Sequence, residues 1–183
     1  MAHKISPTVS RGRNDSIFNE WEYRMAKSKF ERTLVIIKPD ALQRDIVGEI
    51  IHRFERKGLY IIGLKMMQLD EDMVTKHYYK FKDENFFGEI SEYMRSFPVI
   101  VMVLEGLNAI AAVRRIVGTR IGNEAEAGSI RGDFSMSGNK NIIHASDTLE
   151  NAKMEIDNFF KSEEIFNYAK IMEEQLYGPA ELV

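Results

Sequence analysis

The sequence predicts an α+β fold: a βαββαβ unit, the ferredoxin-like arrangement, in which a four-stranded antiparallel sheet carries helices on one face. Three observations predict it. Short β-branched apolar runs alternate with stretches whose apolar residues recur every three to four positions. The order reads β-α-β-(α)-α-β-α-loop-β-α, with no internal repeat and no low-complexity tract. A length of 183 residues suits one domain, or one domain with an appendage, and buries a core without staples.

Residues 1–30 read as an N-terminal extension. Pro7, Gly12 and scattered polar groups make 1–14 a disordered start. Phe18, Trp21 and Met25 then recur at helical spacing, so 16–29 is expected to be a short amphipathic helix. The domain proper, 31–183 with its C-terminal tail, opens near Glu31. Thr33-Leu-Val-Ile-Ile37 is a buried strand stopped at Lys38-Pro39. Ile46 to Lys57 has a helical stripe ended by Gly58. Leu59 to Leu69 returns to strand character, and helices are expected over Glu71–Tyr79 and Phe86–Ser96. Pro98 opens the strand Val99–Leu104, and Asn108 caps a helix to Val117. A glycine-punctuated loop, 118–140, is long enough to be functional or mobile. A short strand, Asn141–His144, leads into a helix over Leu149–Phe160 capped by Ser146 or Asp147, and short helices follow Ser162.

Composition narrows the chemistry. Cysteine is absent, which excludes disulfides, thiolate metal sites and cysteine nucleophiles. The net charge of −3 argues against nucleic acid as the main partner while allowing a local basic pocket. The longest apolar run, Val99 to Leu104, is too short to span a bilayer, and the expected location is the cytoplasm. No Walker A, dinucleotide-binding glycine fingerprint or kinase catalytic loop occurs, and the histidines show no metal-ligand spacing.

The candidate chemistry centres on His144, at the end of an apolar strand and before the small residues Ala145-Ser146. Amides at the following helix start favour an anion beside it. Glu155, two turns into that helix, is either a solvated charge or the carboxylate that fixes the imidazole tautomer. Lys38, at the mouth of a buried strand, meets either an anion or Asp40. Arg131 lies in Gly128-Ser-Ile-Arg-Gly-Asp133 and either grips phosphate or clamps to Asp133. Arg114 and Arg115 share a helix, with one facing solvent. Tyr78 and Phe86 are either core aromatics or a pair able to sandwich a base.

At Asn141-Ile-Ile-His-Ala-Ser-Asp147 the chain closely resembles nucleoside diphosphate kinase. The resemblance runs collinearly over about 31–168 and includes Arg32–Asp40, Val47-Gly-Glu-Ile-Ile51, His77-Tyr78, Lys82-Asp83, Phe86-Phe87, Glu105-Gly-Leu-Asn108 and Gly128–Phe134. It implies a ping-pong reaction: a nucleoside triphosphate phosphorylates His144, and a nucleoside diphosphate takes the group away. By that resemblance Glu155 orients His144 with Ser146 beside it, and Tyr78 stands near the histidine. Lys38, Arg114, Arg131 and Asn141 match positions holding phosphate or sugar, and Phe86 one that stacks on the base. Mg²⁺ is implied as a cofactor arriving on the nucleotide phosphates. A homo-oligomer, hexamer or tetramer of dimers, is implied as well.

Three departures from the family pattern stand out. Ala145 replaces the usual glycine, a methyl that is either tolerated or crowds the phosphohistidine. Arg120 stands where a phosphate-contacting threonine is usual, so either the loop shifts by one residue or Arg120 makes that contact with a charge. Gly122 and Ala127 replace prolines, which makes a more flexible loop the expectation. Arg120, Ala145 and the N-terminal extension motivate the alternative of a catalytically impaired nucleotide-binding or scaffold module on the same fold.

Overall fold

In the computed structural model, which describes residues 30–168, 170, 173–178 and 181, the first apolar run becomes β1 (Phe30–Ile37). It pairs antiparallel on one side with β3 (Val99–Leu107) and on the other with β4 (Ile143–Ala145). β2 (Tyr60–Met67) closes the far edge, giving the order β2-β3-β1-β4 with every pairing antiparallel. This is the ferredoxin-like sheet that the sequence predicts. Arg32 sits opposite Glu105 in register and bonds to it at 2.8 Å, a cross-strand ion pair that fixes the β1–β3 alignment.

Helices lie on both faces of this sheet, which corrects the expectation of one. Alternation sends Val35, Ile37, Ile143 and Ala145 to one side. There they join Ile50 and Phe54 of α2 (Val47–Arg56) and Val113 and Val117 of α5 (Ala109–Val117) in the buried core. Ile36 and His144, paired across β1 and β4, point the other way. They meet α3 (Glu71–His77) and α7 (Leu149–Phe159), through His77 and Glu155. The reason is visible in the strands. Leu34–Ile37 and Val101–Leu104 are apolar without interruption and fully buried, and such a run needs cover on both sides.

Local chemistry sets the remaining elements. Gly58, at φ 92°, turns the chain out of α2 where a side chain would be strained. Asp70 accepts from Met73 N to start α3, and a 3₁₀ turn, Tyr79–Phe81, replaces the last residues of the expected helix. A five-residue helix, α1 (Pro39–Gln43), follows β1 directly with proline in its first turn, and was not anticipated. α4 (Phe87–Arg95) packs beside α3. Asn108 occupies the cap position of α5 in the left-handed region, yet its side chain accepts no capping bond. Thr148, not Ser146 or Asp147, caps α7 by accepting from Asn151 N at 3.1 Å. Ser146 is spent elsewhere, as the site shows.

The segment expected to be an open loop, 118–140, contains a 3₁₀ turn, Gly122–Glu124, and a short helix, α6 (Ile130–Phe134). Close backbone approach explains its glycines. A Cβ on Gly132 would stand 2.1 Å from Glu126 O, and one on Gly122 would stand 2.4 Å from Ser135 O. Residues Lys29–Phe166 make one compact unit; α8 (Glu173–Leu176) belongs to a separate one. The expected disordered start and the 16–29 helix lie outside the described residues. Among those described, no helix is long and apolar enough to cross a membrane.

Candidate active site

β4 is three residues long, and its middle residue is His144. The imidazole Nε2 lies 3.0 Å from Glu155 Oε2. Glu155 is buried in α7, which removes the solvated-charge reading of it. The same oxygen accepts from Ser146 Oγ at 2.6 Å, and Ser146 in turn accepts from Leu34 N of β1. The carboxylate is therefore tied to the central strand, and the ring is tied to the carboxylate. Among the described residues nothing bonds to Nδ1, so one ring nitrogen is anchored and the other is left with its lone pair.

Lys38 ends β1 and is buried. Its Nζ donates to Asn141 Oδ1 at 2.6 Å, while Asn141 Nδ2 donates to the carbonyls of Arg120 and Gly138. The expected alternative of a Lys38–Asp40 pair is not what forms. Asp40 accepts instead from Tyr93 OH at 2.5 Å and from Ile142 N at 3.1 Å. The latter bond holds Ile142 at φ 71°, a strained conformation for a β-branched residue. Burial, and then the nearby Arg131 guanidinium, press the Lys38 ammonium down to about 7, against the smaller opposing pull of Asp40.

Arg131 is buried too, and the Arg131–Asp133 clamp does not form. Its guanidinium donates to four carbonyls: Gly118 (2.9 Å), Thr119 (3.3 Å), Asn141 (3.3 Å) and Ile143 (2.6 Å). Asp133 pairs with Arg53 at 2.7 Å. Burial first, then Arg114 and Arg120, lower the Arg131 pKa to about 10, so it stays charged at neutral pH.

These groups line a cavity of about 300 Å³. Lys38, Arg114, Arg120, Arg131 and Asn141 are among its polar lining residues, together with His144 and Glu155. Arg115 is exposed and does not line it. Ser146 lies beneath, touching Glu155 rather than the cavity. Tyr78, half-buried, and Phe86, exposed, line it as well. The exposed aromatic pair is Phe86 with Phe81, ring centroids 5.8 Å apart, rather than Phe86 with Tyr78. Tyr78 instead stands edge-on 6.5 Å from the His144 ring, and burial, then Glu155, raises its phenol pKa. The Ala145 methyl cannot crowd His144: it is on the opposite side of β4, in the core against Val35.

Sequence reasoning gave no role in the site to His77, Phe81 or Tyr93, and read Asp40 only as an ion-pair partner. His77 is buried against His144, ring centroids 4.5 Å apart, and burial, then His144 and Lys38, hold its pKa well below the ordinary value. The one signal for it was its place beside Tyr78.

The ferredoxin-like sheet thus presents a carboxylate-anchored histidine to a cavity lined by cations and aromatics. A profile of the family described as nucleoside diphosphate kinase matches residues 31–165. The chain is 45% identical over 147 residues to the nucleoside diphosphate kinase of Methanobrevibacter smithii, covering 80% of this chain and 98% of that one. Among solved structures it resembles the Halobacterium salinarum nucleoside diphosphate kinase in complex with CDP, with a TM-score of 0.78 and 36% identity, covering 80% of this chain and 98% of that one. It also resembles a transition-state mimic of the Borrelia burgdorferi enzyme with bound vanadate and ADP, with a TM-score of 0.75 and 34% identity, over 80% and 96% of the two chains. The chain belongs to the nucleoside diphosphate kinase family.

Proposed function

We propose that this chain moves the γ-phosphoryl group of a nucleoside triphosphate to a nucleoside diphosphate by a ping-pong route through His144. The observation that carries this reading is the Glu155–Nε2 bond, which leaves Nδ1 as the nitrogen able to attack. In the first half-reaction the Nδ1 lone pair forms a bond to the γ-phosphorus, the bond from phosphorus to the β–γ bridging oxygen breaks, and the nucleoside diphosphate leaves. The second half-reaction runs the same step backwards with a different diphosphate. Positive charge develops on the imidazole as N–P bonding proceeds, and Glu155 is placed to stabilise it.

Phosphoryl transfer needs in-line positioning and neutralised charge more than covalent help. Lys38, Arg114, Arg120 and Arg131 supply the charge, and Asn141 holds Lys38 in place. Phe86 offers a face on which any base can stack, which suits a broad nucleoside range. The vanadate and ADP seen with the Borrelia relative fit transfer of this kind. Mg²⁺ fits the donor set only as a guest of the phosphates. Of the two acids lining the cavity, Glu155 is committed to His144 and Ser146, which leaves the exposed Asp147 to meet the ion's water shell. When bound, the ion would neutralise charge on the phosphate oxygens. A homo-oligomer, hexamer or tetramer of dimers, is part of the same proposal, and the exposed Leu64 and Met66 on edge strand β2 support a subunit contact there. Light scattering tests that.

Incubation with γ-labelled ATP should give an acid-labile, base-stable phosphoprotein that discharges onto added diphosphates. Equal labelling of wild type and His144→Ala, or none in either, refutes the reading.

A further inference from the structure

A second chemistry is built into the floor of this cavity. His77 is 7% exposed, and neither of its ring nitrogens has a hydrogen-bond partner, although buried polar atoms are normally satisfied. Its ring stands edge-on to that of His144. His77, His144 and Glu155 each offer a ligand atom, and these atoms lie within 4.8 Å of one another. It is the one cluster of this kind among the described residues. Two imidazoles and a carboxylate are a zinc ligand set that leaves a fourth position open.

We propose that His77, His144 and Glu155 form a binding site for a borderline-soft divalent cation such as Zn²⁺, which switches His144 off as a nucleophile. The geometry is close to what the ion needs. Ligands about 2.1 Å from a tetrahedral centre stand roughly 3.4 Å apart. His144 Nε2 and Glu155 Oε2 are already 3.0 Å apart, so the ion takes the place of the Nε2 proton, which moves to Nδ1 of the same ring. That exchange inverts the tautomer. With hydrogen on Nε2, the Nδ1 lone pair is available; with metal on Nε2, the remaining proton of a neutral ring sits on Nδ1 and its lone pair is gone. His77 supplies the third ligand atom from α3 without giving up any existing hydrogen bond. Hard, strongly hydrated Mg²⁺ has little affinity for imidazole, so the nucleotide's ion does not compete here. Binding of the cation stands on its own; only the inhibition rests on His144 being the nucleophile.

The test is Zn²⁺ titration of the full chain by calorimetry, with and without excess Mg²⁺, beside ¹⁵N-histidine spectra. One Zn²⁺ per chain should bind without net proton release, because the Nε2 proton moves to Nδ1, and binding should be unaffected by Mg²⁺. It should shift the His77 and His144 ring resonances and leave those of His3 and His52 in place. His77→Ala should weaken binding by about 100-fold or more, since losing even an outer-shell partner costs roughly 10- to 100-fold. In the labelling assay Zn²⁺ should block phosphorylation of His144, and a chelator should restore it. Zinc shifts confined to His3 or His52, no binding heat, or equal affinity in His77→Ala overturn the site. Because the spectra use wild-type protein, the result stands even if His77→Ala fails to fold. A protein that binds Zn²⁺ at these rings but never labels would keep the site and sink the proposed activity.

Discussion

Replacing Glu155 by glutamine keeps the shape of the side chain and removes the charge that two donors share. Oε2 sits 3.0 Å from His144 Nε2 and accepts from Ser146 Oγ at 2.6 Å, with Glu155 and Ser146 buried and His144 partly exposed. An amide has one carbonyl oxygen, so if it faces His144 the imidazolium loses a charged partner, and if it flips the ring meets a donor. Hydrogen bonds to charged groups are worth about 1.5–3 kcal/mol. The charge on the ring appears only as phosphorus bonds to Nδ1, so most of that loss should fall on the transition state. At about 1.4 kcal/mol per decade, phosphorylation of His144 should slow by roughly 10- to 150-fold. The nucleotide concentration for half-saturation should change little, because Glu155 bonds to none of the phosphate-facing cations. Rapid-quench labelling with γ-labelled ATP gives both quantities, with a thermal melt to show that the variant is folded. A folded Glu155→Gln protein that labels within twofold of the wild-type rate would refute the orienting role.

Three further outcomes are expected. Burial holds the Lys38 ammonium down to about 7 in the folded chain, against 10.5 when unfolded. Nucleotide phosphates pull that pKa back up, so binding should take up a proton and weaken as pH rises above 7; calorimetry in buffers of different ionisation heat reads this, and Lys38→Met should abolish the uptake. For stability the sign is the reverse of the usual lysine case. The unfolded chain holds the extra proton between about 7 and 10.5, so the cost of burying Lys38 is full below pH 7 and is relieved as pH rises through that window, as denaturation at several pH values should show. Phe86→Ala should raise KM for every nucleotide by roughly 5- to 150-fold, from about 1–3 kcal/mol of lost stacking, with kcat little changed in steady-state assays. Asp40→Ala removes the acceptor for both Tyr93 OH and Ile142 N, and should cost about 2–4 kcal/mol in urea denaturation.

What the sequence made legible was whatever depends on neighbours in the chain. Leu34–Ile37 reads as a strand because β-branched residues follow one another, and its lack of alternation already implied two covered faces, a consequence not drawn from it. Pro39–Gln43 is too short for a periodic stripe, so α1 left no trace. His144, Lys38, Asn141 and Arg131 were named from local pattern and resemblance. The protein partners weighed as alternatives for Arg131 and Lys38 were sequence neighbours, and neither pair forms. Asp133 stood two residues from Arg131, and Asp40 two from Lys38, but the fold gives Asp133 to Arg53 and Asp40 to Tyr93 and Ile142. His77 shows the same blindness. Nothing on α3 announces that its last residue meets the middle of β4, because that contact depends on both elements packing on one face of the sheet.

The two departures nearest the histidine bear on this point. Ala145 follows His144 in sequence, yet strand alternation sends its methyl into the core, so the packing against Val35 meets that substitution rather than the phosphoryl group. Arg120 lines the cavity, but it is its backbone carbonyl that holds Asn141, and Asn141 that holds Lys38. Arg131 is likewise fixed by four main-chain carbonyls. A frame made of backbone acceptors survives any side-chain change that leaves the chain path intact. The glycines at 122 and 132 enforce that path, since each lies where a Cβ would strike a carbonyl. Substitution in 118–140 can therefore retune charge in the site while its registration stays put, and Arg120 places a cation among the residues lining the cavity.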